Sequence, residues 1–551
     1  MKGAGAPRSA RLIAVLMAGA ALGLAGWLGS ARGLQPWDLP IAAGALAAGL
    51  LLARVVPGAR LPQIGGWPVL FGFAVLPVLL AAALLPVPVS NDETAYLAQA
   101  EIFAAGALAE PLPLPACAAD PRDPAHAVGI CPLHRRQMYE DPERGRRFAK
   151  YPAGTAAALA PGAAVGLPQA MLVLAGLLDF LLMGALAARL GLPAPGRAVL
   201  LLAVAPTFLL VQGSVQSEVF GLPAALAGAL CLMRARGGGE RAAAWGLGIG
   251  AAAGWVFLVR PLTGVLFAVA CLPGLLRRGS SASPAPGWRA LLAAVGGGLP
   301  FLALALVYQH AQTGSWFTAP YELYANRFGP FDAGGQPVDV YGRGDLLHGL
   351  LEQFGRASIG LGGVLGAFGL GLWGLWRLRA RDGGSMLAFA LLLPGAYALH
   401  WYPGHWGYAG SLYAYESLGF LVLGLVGLLG EFSAPWRRGL VLAACVGALA
   451  LVPYRYALLR KQSLLRATPA RAAAAAPAGA VVLLPFDGGS HLKDWQPSRP
   501  PFGPDQTVLV QELPDVADTR AALEQLGLAV RPVYRLRSVR DAAVPALEPW
   551  P

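Results

Sequence analysis

Apolar stretches long enough to cross a lipid bilayer recur along most of this chain, and they constrain its fold more than any other feature. By the criterion that a spanning helix needs about 20 mostly apolar residues, we predict about 13 spans. They lie at residues 11–30, 38–56, 67–88, 168–190, 197–213, 216–233, 243–259, 261–276, 289–309, 357–376, 385–401, 412–430 and 438–456. Only 13% of the residues are charged, against about 25% in soluble domains. The sequence therefore predicts an α-helical polytopic membrane protein.

The first apolar stretch has features of a signal peptide, but we interpret it as a signal anchor. It follows Lys2, Arg8 and Arg11, it is long enough to span a membrane, and it ends without a convincing cleavage site. Further spans follow it along the chain. We therefore expect this segment to remain as the first membrane helix.

Basic residues cluster in the short connections between the spans, and their placement predicts the orientation of the chain. Short cytoplasmic loops are enriched in Lys and Arg, and a cytoplasmic N-terminus makes every inside connection basic. Those connections carry Arg54, Arg60, Arg189, Arg197, Arg234, Arg236, Arg241, Arg277, Arg278, Arg289, Arg377, Arg379, Arg381, Arg437 and Arg438. Three polar pieces then lie outside the cytoplasm: residues 89–166, 310–356 and those after about 457. The net charge of +12 is thus explained by topology rather than by nucleic-acid binding.

The C-terminal piece has the pattern of a small α/β domain. Strand-like runs and one helix pattern follow one another there, at residues 481–485 (strand), 507–511 (strand), 515–526 (helix) and 528–533 (strand). We therefore predict two domains. Residues 1–457 form a transmembrane domain, and residues 458–551 form a linker and a small extracytoplasmic α/β domain.

Charged residues within apolar stretches are costly and are therefore candidates for function. Glu218, Arg260 and Glu416 are each alone in a long apolar region, and each falls at the predicted outer end of a helix. Any one of them alone is better explained as a charge that reaches interfacial water. Their location on one membrane face favours a common site. Asp179 differs because it lies in the middle of a predicted span, where it is either protonated or paired within the bundle.

The outer piece at residues 89–166 begins with the acidic pair Asp92-Glu93. If this segment is helical, its spacing puts Asp92, Tyr96 and Gln99 on one face. A carboxylate beside an aromatic side chain at a membrane surface suits deprotonating an acceptor or holding a divalent cation. Acidic pairs are also common at helix starts, where they face the positive end of the helix dipole. The pair alone is better explained by that structural role.

Two other outer segments carry groups that suit a phosphate and a sugar. Arg146, Arg147 and Lys150 lie just before a turn at Tyr151, and such cations bind phosphate through charge-assisted hydrogen bonds. Residues 314–324 are rich in aromatic side chains, which can stack on a sugar ring. An interfacial aromatic belt is an equally good explanation of that segment.

Two cysteines, Cys117 and Cys131, lie in the same outer piece. In an oxidising compartment they can form a disulfide, which would stabilise the fold by about 3 kcal/mol on the chain-entropy account. Two unpaired thiols are an equally good interpretation. The other cysteines, Cys231, Cys271 and Cys445, lie within apolar runs.

Several of these segments together resemble the GT-C superfamily of membrane glycosyltransferases. The resemblance rests on Asp92-Glu93 with Tyr96, on Lys150-Tyr151-Pro152, on Arg260-Pro261, and on residues 313–324 and 408–418. It is strongest to the bacterial dolichyl-phosphate-mannose-protein mannosyltransferase-like group, which includes the lipid A aminoarabinose transferase. The order and common sidedness of the motifs are more specific than any single motif. Two additional early spans, and Ala153 where a second proline is common, leave the subfamily open.

The resemblance implies an inverting transferase that uses a polyprenyl-phosphate sugar at the outer face of a bacterial plasma (inner) membrane. By position, Asp92 would be the catalytic base and Glu93 a supporting or cation-binding carboxylate. Lys150 and Arg260 would hold the carrier phosphate. The residues that would line the donor or acceptor site are Tyr96, Tyr151, Glu322, Tyr324 and Glu416. The acceptor is open among protein, lipid and glycan.

No cofactor is required by this interpretation. Lys150 and Arg260 can neutralise a phosphate, and no group of side chains has metal-ligand spacing. A divalent cation at Asp92 and Glu93 is the alternative.

Two other classes of function compete with a transferase. A transporter or flippase of a lipid-linked or anionic substrate predicts inverted repeats and interrupted helices with charge near the midplane. The sequence has no such repeat, and most of its intramembrane charges fall at one face. A structural scaffold that displays the C-terminal domain would leave the outer carboxylates and cations unexplained.

Overall fold

The computed structural model describes most of the chain in segments. These are residues 38–55, 66–112, 133, 137–141, 143–237, 241–276, 287–328, 346–362, 366–381, 383–398, 412–485, 498, 501–513, 515–537 and 546–550. The predicted span at residues 11–30 lies outside the described residues. Both cysteines of the candidate disulfide, Cys117 and Cys131, also lie outside them.

The described chain is mainly helical. Its α-helices are Asp38–Val55 (α1), Trp67–Leu84 (α2), Asn91–Ala104 (α3), Ala153–Ala164 (α4), Gln169–Arg189 (α5), Gly196–Ala203 (α6), Pro206–Val211 (α7), Glu218–Arg236 (α8), Ala242–Val259 (α9), Pro261–Leu276 (α10), Gly287–Thr313 (α11), Pro320–Phe328 (α12), Leu346–Gly362 (α13), Ala367–Leu378 (α14), Gly383–Tyr397 (α15), Leu418–Leu429 (α16), Ala434–Arg466 (α17), Thr468–Ala475 (α18) and Val516–Gln525 (α19). Short 3₁₀ turns precede α15 and α16, at Arg379–Arg381 and Leu412–Ser417.

Six helical segments in the described residues are long and apolar enough to cross a membrane. They are Gln169–Arg189, Glu218–Arg236, Ala242–Val259, Trp288–Thr313, Leu412–Leu429 and Ala434–Arg466. Shorter apolar helices occur at Pro40–Ala53, Pro68–Leu84, Pro261–Leu276 and Gly383–Tyr397. The prediction of an integral membrane protein is confirmed. The figure of about 13 spans stays a prediction.

Helix α11 shows most plainly why this fold needs lipid. Its outward side exposes Leu292, Leu299 and Val307 by 60%, 55% and 51%. An apolar row of this length is unstable in water and is typical of a lipid-facing surface. The opposite side packs on α9, where Gly246 and Gly250 let the two backbones approach closely.

Two predicted spans are wrong as single helices. Residues 197–213 form α6 and α7, because Pro206 begins α7 and Ala205 before it is extended. The stretch at residues 357–376 is divided between α13 and α14. Helix α14 begins after Gly366, whose φ of 80° is in the left-handed region that favours glycine.

The outer piece at residues 89–166 is folded around a small antiparallel sheet. Its strands are Glu110–Pro111 (β1), Met138–Asp141 (β2) and Arg146–Ala149 (β3), in the order β1-β3-β2. In the register of the sheet, Arg147 of the central strand lies opposite Glu110 of β1 and opposite Glu140 of β2. Strand β3 runs directly into Lys150 and Tyr151, so this sheet positions the cationic turn.

The C-terminal segment contains a four-stranded mixed sheet. The strands are Val481–Leu484 (β4), Val508–Gln511 (β5), Val533–Arg537 (β6) and Ala546–Pro549 (β7), in the order β5-β4-β6-β7. Strands β5 and β6 are parallel to β4, and β7 is antiparallel to β6. The third strand was predicted at residues 528–533, which is wrong. Gly527 ends α19 with a φ of 68°, and the strand begins only at Val533. That this segment is an extracytoplasmic domain stays a prediction.

Candidate functional site

The acidic pair lies at the start of α3, where its two carboxylates have different surroundings. Ser90 and Glu93 form a capping box, in which the serine hydroxyl accepts a hydrogen bond from the Glu93 amide. Glu93 Oε1 accepts from the amides of Val89 and Ser90, both at 3.1 Å. Its Oε2 accepts from the Val215 amide at 3.2 Å. Glu93 is thus a buried carboxylate that fixes the helix start against the segment before α8.

The resemblance implied that Glu93 is a supporting or a cation-binding carboxylate, and its contacts do not favour cation binding. A general base or a metal ligand needs lone pairs directed at its substrate or ion. Both oxygens of Glu93 instead accept hydrogen bonds from the protein, and the residue is only 3% exposed. A serine three residues before a glutamate is the sequence pattern of a capping box, and this pattern distinguishes the structural role of Glu93 from that of Asp92.

Asp92 is half-buried and is oriented by a tyrosine. The Tyr151 hydroxyl donates a hydrogen bond of 2.6 Å to Asp92 Oδ1. The ring of Tyr96, one turn along α3, lies 4.7 Å from the Tyr151 ring. Burial, and then the negative charge of Asp92, raise the pKa of both tyrosines above its ordinary value. Both hydroxyls are therefore neutral at physiological pH.

Gln99 lies on the same face of α3 but connects secondary structure elements. Its Nε2 donates to the Leu108 carbonyl, and its Oε1 accepts from the Ala149 amide, each at 2.9 Å. These bonds fix α3 against β3, one residue before Lys150.

Lys150 lies in a cage of three tyrosines. Its Nζ is 4.4 Å from the ring centre of Tyr324, 4.7 Å from that of Tyr321 and 5.2 Å from that of Tyr151. The side chain is 8% exposed, and ring faces stabilise a desolvated ammonium group. Glu322 lies between the two cage tyrosines in α12, but its side chain is exposed, so it does not belong to this buried cage.

Arg260 lies at the break between α9 and α10, where it contacts two carboxylates. Its Nη1 is 3.0 Å from Glu218 Oε1 and 3.1 Å from Glu416 Oε1. The guanidinium also lies 4.9 Å and 5.0 Å from the rings of Tyr397 and Tyr413. Those two rings are stacked with centres 4.6 Å apart.

This Arg260 group differs from the expected phosphate site. Two carboxylates surround one guanidinium, which leaves little positive charge to attract an anion. Glu416, which was expected to line the donor or acceptor site, is fully buried and directly contacts the arginine. Glu218 stood out in the sequence as an isolated charge, yet nothing there indicated that it pairs with Arg260.

Tyr96 lies between the Arg260 group and Asp92. Glu218, whose Oε2 accepts a hydrogen bond of 3.0 Å from Ser217 Oγ, adds to burial and Asp92 in raising the pKa of Tyr96, and Arg260 lowers it, so both charges are near this tyrosine. Tyr96 in turn contacts Tyr151, which bonds Asp92. Asp92, Tyr151 and the Arg260 group therefore lie in one contiguous region, with Tyr96 between them.

Within the described residues, His, Cys, Asp and Glu form no group of three or more that could hold a metal ion. A divalent cation at Asp92 and Glu93 stays a prediction, and the hydrogen bonds of Glu93 do not favour it.

Asp179 is fully buried in α5. Neither of its carboxyl oxygens has a hydrogen-bond partner in the described part of the chain. An unpaired buried charge costs several kcal/mol. Of the two predicted states of Asp179, protonated or paired within the bundle, the structure therefore favours the protonated one.

No protein-family model matches this chain, and no curated protein sequence is significantly similar to it. Among solved structures, the chain is similar to ArnT from Cupriavidus metallidurans bound to undecaprenyl phosphate. That match has 15% identity and a TM-score of 0.45, and covers 85% of this chain and 90% of the other. The apo form of the same protein matches with 16% identity and a TM-score of 0.44, over 85% and 89% of the two chains.

A third similar structure is the archaeal oligosaccharyltransferase AglB from Archaeoglobus fulgidus, in complex with an inhibitory peptide and a dolichol-phosphate. It has 11% identity and a TM-score of 0.34, over 91% of this chain and 69% of the other. ArnT and AglB are both members of the GT-C superfamily, which is the superfamily that the sequence motifs resemble. With TM-scores below 0.5, these matches assign no role to any residue of this chain.

Proposed function

We propose that this protein is an inverting glycosyltransferase. It would move a sugar from a polyprenyl-phosphate-linked donor to an acceptor at the extracytoplasmic face of the membrane. The observation that carries this proposal is that one side chain, Tyr151, contacts both a carboxylate and an ammonium group that is enclosed by tyrosine rings. Tyr151 bonds Asp92 with its hydroxyl, and its ring lies 5.2 Å from Lys150 Nζ.

In the proposed reaction, Asp92 accepts the proton of an acceptor hydroxyl or amine. The acceptor atom forms a bond to the anomeric carbon from the side opposite the phosphate. The bond between that carbon and the phosphate oxygen breaks, and its electron pair leaves with the phosphate. Lys150 stabilises the negative charge that develops there. The carrier already provides a good leaving group, so alignment and charge neutralisation suffice.

The tyrosines and the Arg260 group have supporting roles in this proposal. The hydrogen bond from Tyr151 holds the Asp92 carboxylate in one orientation, and Tyr96 packs behind it. The Arg260 group fixes the starts of α8, α10 and the turn before α16 relative to one another. We therefore give Arg260 a structural role at the edge of the site and leave phosphate binding to Lys150.

Replacing Asp92 with asparagine tests the proposal. Asparagine keeps the size of the side chain but cannot accept the proton. We expect Asp92→Asn to lose at least about a hundredfold in transfer rate, the size typical of general-base catalysis. The measurement is release of radiolabelled sugar from its polyprenyl-phosphate carrier by reconstituted protein. The matched control is Glu101→Gln, the same chemical change at an exposed position of α3. Full activity of Asp92→Asn would contradict the assignment.

A further inference from the structure

The C-terminal sheet shares its apolar core with a residue from the first outer piece. Leu133 is fully buried in a cluster with Val481, Val508 and Leu523 of the C-terminal segment. Leu112, which follows β1, packs against the same cluster. A leucine that is completely buried in a neighbouring core is a strong tether, because exposing it to water is costly.

The backbone of the same residue is tied to the strand that leads to Lys150. Arg147 Nη1 donates a hydrogen bond of 2.9 Å to the Leu133 carbonyl. Its Nε contacts Glu110 Oε1 at 2.5 Å, and the arginine is only 1% exposed. One planar guanidinium thus joins β1, β3 and the Leu133 tether, a geometry that a lysine cannot reproduce.

The position of β3 in turn determines the position of Lys150. Arg147 is three residues before Lys150, and the Lys150 amide donates to the Gln137 carbonyl at 3.1 Å. The Gln137 amide donates to the hydroxyl of the cage residue Tyr324 at 3.4 Å. The cage is therefore continuous, through β3 and Arg147, with the core of the C-terminal sheet.

We propose that the C-terminal α/β segment positions Lys150, with Leu133 and Arg147 as the positioning residues. Leu133 anchors the outer piece in the C-terminal core, and Arg147 transmits that anchor to β3. Weakening the anchor releases Lys150 from its cage. This inference deepens the proposed function and rests on it for the kinetic measurement only.

The first measurement is the rate at which an amine-reactive reagent acylates Lys150 in the full-length protein, followed by mass spectrometry. Lys461, which is exposed on α17, is the internal reference. We expect Leu133→Ala to raise the relative labelling of Lys150 about tenfold, and Arg147→Lys to change it in the same direction. Leu133→Met should restore slow labelling, because it refills most of the lost volume.

A matched control separates anchoring from general damage to the C-terminal sheet. Leu536 is also fully buried in that sheet, but in a different cluster with Ala472, Val482 and Leu484. Leu536→Ala removes the same side-chain atoms, and we expect it to leave Lys150 labelling unchanged. Equal labelling in both leucine variants, or wild-type labelling in Leu133→Ala, would overturn the inference.

The kinetic measurement distinguishes this inference from the proposed function. If Lys150 binds the carrier phosphate, Leu133→Ala should raise KM for the lipid-linked donor more than it lowers kcat. A labelling change in a protein that transfers no sugar would leave the inference standing and remove the proposed function. Transfer by the wild type, together with unchanged Lys150 labelling in Leu133→Ala, would leave the proposed function standing and remove the inference.

Discussion

At the residue scale, the neighbours Asp92 and Glu93 show how two identical carboxyl groups acquire different uses. Glu93 is buried and accepts hydrogen bonds from three backbone amides. Asp92 is half-buried and has a tyrosine hydroxyl on one oxygen. Local sequence pattern can identify the first role, because a capping box involves residues three apart. The second role depends on Tyr151, which is 59 residues away.

The hydrogen bond between Tyr151 and Asp92 gives a prediction at this scale. Tyr151→Phe removes the hydroxyl but keeps the ring that contacts Tyr96 and Lys150. A hydrogen bond to a charged group contributes about 1.5–3 kcal/mol, so we expect kcat/KM for transfer to fall roughly ten- to a hundredfold. The melting midpoint should change little by comparison. Unchanged kcat/KM in a correctly folded Tyr151→Phe protein would show that the hydroxyl does not orient the base.

At the element scale, the starts and breaks of helices carry the polar groups. Glu218 begins α8, Arg260 separates α9 from α10, and Glu416 lies in the 3₁₀ turn before α16. Apolar runs predicted most of these helices correctly, since length and hydrophobicity are local properties. They did not reveal that Glu416 meets Arg260 across 156 residues. They also missed the interruptions at Ala205 and Gly366, because a short break does not interrupt an apolar run.

A glycine in α8 is needed for the Arg260 group to form. A Cβ atom at Gly221 would lie 2.9 Å from Glu416 Cγ and 3.1 Å from its Oε1. We expect Gly221→Ala to displace this carboxylate and to lower the stability of the protein by about 1–3 kcal/mol, the usual cost of overpacking. The measurement is the melting midpoint in detergent.

Gly72 of α2 is the matched control, since a Cβ there meets nothing within 4 Å. Gly72→Ala should be neutral or slightly stabilising, because alanine favours a helix over glycine. Equal melting midpoints for the two variants would show that α8 tolerates a side chain at position 221.

At the scale of the whole molecule, a buried ion pair links the first described helix to the last long one. Asp38 of α1 pairs with Arg455 of α17, and both residues are almost completely buried. Gly49 and Gly439 let the same two helices approach closely. Beyond Arg455, α17 reaches the segment just before the outer piece, where Ser463 Oγ donates to the Val87 carbonyl at 2.6 Å. Helix α1 is thus tied to the helix that leads to the C-terminal segment.

This pair predicts a strong difference between single and double replacements. Asp38→Leu alone leaves a buried guanidinium without its carboxylate and should cost about 3–5 kcal/mol. The double replacement Asp38→Leu with Arg455→Leu removes both charges and should recover most of that loss. Thermal unfolding in detergent measures both. A double variant no more stable than Asp38→Leu alone would contradict this expectation. It would show that the helices need the interaction between the two side chains, and that removing the unpaired charge does not restore stability.

If the protein is the transferase proposed above, the sugar leaves its lipid carrier in a covalent transfer. Proteoliposomes containing the full-length protein, radiolabelled polyprenyl-phosphate-linked sugars extracted from membranes, and a cell-envelope extract as acceptor test it most directly. We predict that label leaves the carrier lipid and becomes covalently attached to an acceptor, and that Asp92→Asn prevents this. Label that stays on the carrier lipid while moving to the other leaflet would contradict the claim and favour a flippase.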